Sequence, residues 1–268
     1  MSVLAGVLIL AGGESTRMGR PKALLPVPNR VPNSAPNSAP NSVRDSEQTL
    51  LEFHIRHALP VARAYDVPIW IADNGKGFTW RDGAVLGDTC DDRAIISYSQ
   101  DYLPNEQGQS KGAGALSAIC GAMSALGLHD TDSDTSKGLS SKCLSSKYLL
   151  VLSCDSLVGA DSLFDLLSDK RLNDNRLSDK VLNKTAPVLY VKSQSQHKDY
   201  PLLGLYRCEL FDRLCAYLER GERSVMKFLA SVGADSVPLP HDLQGLANFN
   251  TPDEFYQAVQ VLNNPSKC

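Results

Sequence analysis

No apolar run in this chain is long enough to cross a bilayer. The first, over residues 3–11, is far too short and lacks the basic flank of a signal peptide. A soluble, cytoplasmic protein with no membrane partner is expected. An excess of positive charge is missing as well: 27 Lys and Arg stand against 30 Asp and Glu, a net charge of −3 with a pI of about 6.0. Wholesale nucleic-acid binding is therefore not expected, and any anionic ligand has to be held by local cations. The seven cysteines form no C-x-x-C pair, and their odd count and scattered spacing argue against a disulfide framework or a zinc knuckle. They read as reduced thiols. Neither G-x-x-x-x-G-K-[ST] nor G-x-G-x-x-G occurs. No His, Ser or Cys constellation points to covalent catalysis, and Cys154 reads as an inert thiol on a buried strand.

What the chain does have is 268 residues and 43% hydrophobic content, enough for one substantial core. A single domain over residues 1–268 is expected, interrupted by three polar, repetitive insertions at about 28–48, 130–147 and 167–184. The first repeats Pro-Asn-Ser, the second Leu-Ser-Ser-Lys and the third Leu-Ser-Asp-Lys. The first two bury too little to repay their ordering and are expected to be mobile loops. The leucines of the third could extend a helix. Between the insertions, strands are expected at 3–11, 67–72, 94–98, 148–153, 187–191, 202–206 and 236–238. Helices are expected at 49–64, 114–126 and 209–220, and another from 161 with Asp161 as its cap. Apolar strands alternating with helices predict a three-layer α/β/α sandwich around a mainly parallel, Rossmann-like sheet.

In such a fold ligands bind at the carboxyl ends of the strands, where the stretch GVLILAGGESTRMGRPKALLPV places Gly12 and Gly13. Without Cβ atoms they allow backbone N–H groups close to phosphates or to a base edge. Arg17 and Lys22 can then neutralise a triphosphate. The alternative is a plain strand–helix turn with solvated cations. Asp155 ends the run YLLVLSCD, where it is placed either to hold magnesium beside the phosphates or to cap the next helix. The stretch ADNG, Ala72 to Gly75, ends a strand and either touches a base or ribose or forms a simple Asn-Gly turn. Asp91-Asp92 reads as a solvated turn.

The string L-A-G-G-x-S-x-R-M-G-x-x-K-x-L-L resembles the N-terminal signature of the MobA-like nucleotidyltransferases. That resemblance implies transfer of a nucleoside monophosphate from an NTP onto a phosphate. It places Leu10, Ala11, Gly12 and Gly13 at the nucleotide, and Arg17 and Lys22 at its phosphates. It assigns Asp155 to Mg2+, and Asp101 to the nucleotide or the metal. Gly114 and Leu116 match a nucleotide-contacting helix start in which Ala115 and Ala118 replace a proline and a glycine. Leu157 stands where the family usually has proline, so a looser turn behind the metal is expected.

Further along, Pro201, Gly221-Glu222-Arg223 and Asn248-x-Asn250-Thr251-Pro252 are similar to the molybdenum cofactor guanylyltransferases within that group, although Tyr200 replaces a common histidine. This implies GTP and molybdopterin as substrates, with Asn248, Asn250 and Pro201 on the acceptor and transient contact with molybdoenzymes or molybdopterin-loading proteins. Read physically, Gly221 ends a helix, Ser224 caps the next, and Thr251 with Pro252 starts the last. Asn248 and Asn250, two residues apart on an extended segment, face one side. Molybdopterin cytidylyltransferases tend to carry alanine at the position of Gly12, and the glycine is read as extra room for guanine. Sugar-phosphate nucleotidyltransferases and a non-catalytic nucleotide-binding partner of molybdoenzymes are the other readings.

Overall fold

Strand β1 (Leu4–Leu10) is apolar on both faces because both faces are covered. Val7 and Ile9 pack into one core beneath α1 (Leu50–Tyr65), while Leu8 points into a second core beneath α2 (Gly114–Met123). The computed structural model describes residues 3–13, 15–28, 48–80, 95–102, 114–128, 146–168 and 186–263. Most of the three repetitive insertions, and Asp91-Asp92, lie outside these.

Two short strands, β2 (Pro26–Val27) and β3 (Gln48–Thr49), pair with each other. The main sheet contains β1 with β4 (Ile69–Ala72), β5 (Ile96–Tyr98), β6 (Tyr148–Ser153), β7 (Val188–Ser193), β8 (Lys198–Arg207) and β9 (Asp235–Pro238). Its order is β5-β4-β1-β6-β8-β7-β9. β1 pairs in parallel with β4 and β6, β4 with β5, and β7 with β9, while β8 is antiparallel to both its neighbours. The sheet is thus mostly parallel, with one strand reversed. Helices α1 and α3 (Ala160–Leu167) cover one face. Helices α2, α4 (Phe211–Glu219) and α5 (Val225–Val232) cover the other. This is the expected three-layer sandwich. The short α6 (His241–Gln244) leads to α7 (Pro252–Asn263), which closes the described chain. No helix among the described residues is long and apolar enough to cross a membrane.

Local chemistry sets the helix ends. Thr49 caps α1 through a reciprocal pair: its hydroxyl accepts from the Glu52 amide at 3.2 Å, and the Glu52 carboxylate accepts from the Thr49 amide at 2.7 Å. Ser224 caps α5, Gly221 takes a left-handed φ of 78° just after α4, and Thr251 accepts from Glu254 ahead of α7. Asp161 does not cap α3. Gly159 occupies that position, and Asp161, in the first turn, meets His57 Nδ1 at 3.0 Å. The small-residue helix α2 lies close to the end of β5. A Cβ on Gly121 would collide with the Gln100 carbonyl, so only glycine allows this approach. The contact carries the Asp101–Tyr102 segment, whose Tyr102 amide donates to the Ser117 carbonyl at 3.0 Å.

One polar side chain is buried where α1 meets the sheet. His54 is fully buried, its Nε2–H donates to the Ser156 carbonyl at 3.0 Å, and its Nδ1 has no partner. Burial pushes its pKa down from 6.5 to about 4. The unfolded chain therefore binds a proton that the folded chain refuses between those two values. Stability is complete above pH 6.5 and declines as pH falls towards 4. His54→Leu is expected to shed up to ~3 kcal/mol of that acid-side decline. Thermal melts of both proteins across this pH range check it; parallel curves would show that the buried histidine contributes no linkage.

Candidate active site

A cavity of about 600 Å³ opens at the carboxyl ends of β1, β4 and β6. The loop after β1 forms its floor. The Ala11 amide donates to the Ala72 carbonyl at 2.8 Å, and the Cys154 amide to the Leu10 carbonyl at 3.0 Å. The three strand ends are thus locked in register where Leu10, Ala11, Gly12 and Gly13 border the cavity. Beyond Gly13 the chain makes a compact turn in which Ser15 adopts a left-handed φ of 47°. The Ser15 hydroxyl accepts from the Lys22 amide at 3.1 Å, and Met18 is buried beneath. Arg17 and Lys22 both reach the cavity wall from this turn.

The two glycines differ. A Cβ on Gly13 would meet nothing within 4 Å, so its backbone is open to close approach by a ligand. A Cβ on Gly12 would come within 2.8 Å of the Asn74 Cβ and 3.1 Å of the Asp73 main chain. Glycine at position 12 is therefore required by packing against the loop after β4, whatever base is bound. Room for guanine is not what this contact selects. That loop is a turn, as one reading of Asn74-Gly75 had it, yet Asn74 also borders the cavity. Its geometry comes from Asp73, a buried carboxylate that accepts from the Gly75 and Phe78 amides, each at 3.0 Å.

Asp155 follows β6 and faces the cavity. It caps no helix, since α3 begins five residues later behind Gly159. Its surroundings come instead from residues 246–250, laid across the turn after β6. The Phe249 amide donates to the Asp155 carbonyl at 2.8 Å, and the Ser156 hydroxyl to the Leu246 carbonyl at 3.0 Å. The Leu157 amide also donates to the Leu246 carbonyl, at 2.8 Å. The looser turn expected from Leu157 is therefore not found, because leucine supplies an N–H that proline lacks and spends it on this bond.

In the orientation that satisfies the Asn248 amide, its Nδ2 donates to Asp155 Oδ2 at 3.2 Å. Its Oδ1 then accepts from Asn250 Nδ2 at 2.7 Å and from Lys198 Nζ at 3.2 Å. The two asparagines thus do meet on one side. Lys22 Nζ donates to the Phe249 carbonyl at 2.6 Å and to Asn250 Oδ1 at 3.3 Å, with the Phe249 ring 5.3 Å beneath it. Partial burial lowers the Lys22 pKa, opposed by the charges of Asp155 and Glu254.

Across the cavity, Asp101 leaves β5 beside Gly114, Ala115 and Ala118. Burial, with the nearby Asp73 charge, raises its pKa. Leu116, by contrast, is fully buried in the core under α2 and does not border the cavity. Pro201 is also absent from the wall. It sits where β8 carries extra residues against β7, and its carbonyl accepts from Tyr206 Oη at 2.6 Å; its neighbour Leu202 faces the cavity. Cys154 borders the cavity, but burial pushes its thiol pKa up, which keeps it protonated and unreactive.

Two functional candidates had no motif to mark them, Lys198 and Lys76, while Asp73 lay within the ADNG stretch without being singled out. Lys76 Nζ donates to the carbonyls of Gly12 and Gly13 at 2.7 and 2.9 Å, so it ties the loop after β1 to the turn after β4. Cations, two carboxylates and neutral amides therefore surround one opening, a charge pattern suited to a nucleoside triphosphate and its counter-ion. No cluster of three or more His, Cys, Asp or Glu that could hold a metal occurs among the described residues.

The Gly12 contact makes a testable demand. Gly12→Ala is expected to cost about 1–3 kcal/mol through overpacking against Asn74. Adding Asn74→Gly should recover part of it, since a φ of 57° suits glycine. Denaturation midpoints of the single and double variants measure the coupling; strictly additive losses would show that the two residues do not touch.

A family model described as the MobA-like NTP transferase domain matches residues 7–234. Among solved structures, molybdopterin-guanine dinucleotide biosynthesis protein A from Archaeoglobus fulgidus is similar, with 15% identity and a TM-score of 0.54 over 97% of this chain and 99% of that one. A protein from Mycobacterium sp. strain JC1 shares 15% identity with a TM-score of 0.51, over 98% and 99%. A 4-diphosphocytidyl-2C-methyl-D-erythritol synthase shares 8% with a TM-score of 0.50, over 97% and 99%. At such identities the likeness is one of fold: a mostly parallel sheet flanked by helices. The family match covers the sheet from β1 to the threshold of β9, and the chain belongs to the MobA-like NTP transferase family as a nucleotidyltransferase.

Proposed function

We propose that this chain is a molybdenum cofactor guanylyltransferase, which transfers GMP from GTP to the terminal phosphate of molybdopterin and releases pyrophosphate. The observation that carries the reading is the joining of Asn248 and Asn250 to Asp155 and Lys22 at one end of the cavity. An acceptor held by the asparagines lies against the residues that would hold the triphosphate. We further propose that residues 1–268 act as one domain, because one seven-stranded sheet takes strands from Leu4 through Pro238.

The site residues then take these roles. The open backbone at Gly13 receives the nucleotide, and Gly12 and Lys76 hold that loop in place. Arg17 and Lys22 neutralise the triphosphate and then the departing pyrophosphate. Asp155 and Asp101 suit magnesium, which takes one or two carboxylates and completes its shell with substrate oxygens and water. Their placement on one cavity, with a single amide on Asp155 Oδ2, fits that demand. Bound magnesium would offset charge on the phosphate oxygens. The acceptor oxygen is already anionic, so no side chain has to remove a proton. It forms a bond to the α-phosphorus as the bond to the bridging oxygen breaks, and the electron pair leaves with pyrophosphate. Asn248 and Asn250 orient the acceptor without adding charge.

Pyrophosphate release with molybdopterin and GTP, CTP or UTP in turn tests the reading, with GTP expected to serve best. No release with any of them would indicate a binding module; release with CTP alone would move the assignment to cytidylyl transfer. Asp155→Asn preserves shape but removes the charge, and turnover should fall at least about 100-fold with the fold intact by circular dichroism. Near-normal turnover across a magnesium titration would make Asp101 the principal acid.

A further inference from the structure

Lys198 opens β8 at the end of the β7–β8 hairpin, exposed and outside the wall of the triphosphate cavity. Its ammonium lies 5.4 Å from the centre of the Tyr200 ring and 3.2 Å from Asn248 Oδ1. Tyr200 is itself buried, and its hydroxyl donates to Gln196 at 3.3 Å, so the ring under Lys198 is packed into the fold. No carboxylate among the described residues pairs with this ammonium, although Lys192 and Asp199 on either side of the hairpin pair with each other.

A continuous polar chain results. Lys22 donates to Asn250, Asn250 donates to Asn248, and Asn248 bridges Lys198 and Asp155. Two ammonium groups are thus held at opposite ends of a pair of neutral amides, close enough for the charge of Lys198 to be felt at Lys22. Like charges so placed repel, and anionic charge brought to either end relieves the repulsion. Lys22 borders the triphosphate cavity and Lys198 does not, so an anion taken up by Lys198 would be distinct from the triphosphate.

We propose that Lys198, with Asn248 and Asn250, binds the phosphate of the acceptor, a phosphomonoester presented to the nucleotide from the β8 side. This rests on the reading of the reaction given above. Transfer between two polyanions requires positive charge on each, and Lys198 supplies it to the acceptor while Lys22 and Arg17 serve the nucleotide. Lys198 positions the attacking phosphate and does not touch the α-phosphorus.

Two measurements on the full chain separate this inference from the reaction it serves. In the first, Lys198→Ala and Lys198→Arg are compared in steady-state turnover of GTP and molybdopterin. The alanine variant is expected to raise the KM for molybdopterin about tenfold, the effect of one charge-assisted hydrogen bond. The KM for GTP should move far less, and arginine should restore most of the loss. In the second, inorganic phosphate is titrated calorimetrically into protein loaded with magnesium and a non-hydrolysable GTP analogue. Wild type and Lys198→Arg should bind it, and Lys198→Ala at least about tenfold more weakly. Phosphate binding that depends on Lys198 upholds the site even if molybdopterin proves not to be the acceptor. Equal phosphate affinity in wild type and Lys198→Ala overturns it, as does absence of phosphate binding by wild type or a parallel rise in the KM for GTP. Circular dichroism of each variant confirms that folding is retained.

Discussion

The corner of the site depends on a short backbone splice. Residues 246–250 are fastened to the turn after β6 by the Leu157 and Phe249 amides and the Ser156 hydroxyl, all within 3.0 Å of their acceptors. These bonds are largely shielded from solvent, where an unmade partner would cost more than the bond itself contributes. They bring together an acid at the end of a strand and two amides almost 100 residues later in the chain. The register is tight because main-chain bonds on both sides of Asp155 define it. A slip of one residue in 246–250 would turn both asparagines away from the acid, since their side chains alternate with that of Phe249. His54 completes the arrangement from beneath, donating to the carbonyl of Ser156 in the same turn.

Burial acts on the two kinds of charge in opposite directions and toward the same end. It raises the pKa of Asp101 and lowers that of Lys22, so both carry charge at a cost in the free protein. A ligand of complementary charge relieves both. Under the proposed function a metal-bound triphosphate would do so at once, bringing cationic charge to the acid and anionic charge to the lysine. The net charge of the whole chain is −3, so such a ligand would be drawn by this local arrangement and not by a global field.

Much of this was legible in the sequence. The run at Tyr148–Ser153 reads as a buried strand because it is continuously apolar, and the helix expected from residue 49 is found, with Thr49 as its cap. Asp155 stood out because nothing in its own strand could solvate it. The direction of β8 was not legible, because strand polarity is decided by partners distant in sequence. Leu116 was misplaced at the nucleotide because a motif gives residue spacing but not the direction of a side chain on its helix; the core took that side chain. Lys76 and Lys198 are exposed lysines among 27 basic residues, and no periodicity separates a lysine that holds two carbonyls from one that is only solvated. Gly12 was visible as a glycine, but its reason, the approach of Asn74, belongs to a different loop.

Lys22 links the two halves of the site. In the free protein its ammonium is bonded to the Phe249 carbonyl and to Asn250, both on the C-terminal segment, although its backbone belongs to the loop that follows β1. Under the proposed chemistry a triphosphate competes for the same ammonium. An ammonium has three N–H donors, enough by count for a phosphate, the Phe249 carbonyl and Asn250, so what yields when a phosphate draws the ammonium toward itself is set by bond strength. Asn250 Oδ1, at 3.3 Å the longer and weaker of the two present bonds, is the acceptor most easily given up. Nucleotide binding would then free the Asn250 carbonyl group on the side from which the acceptor approaches.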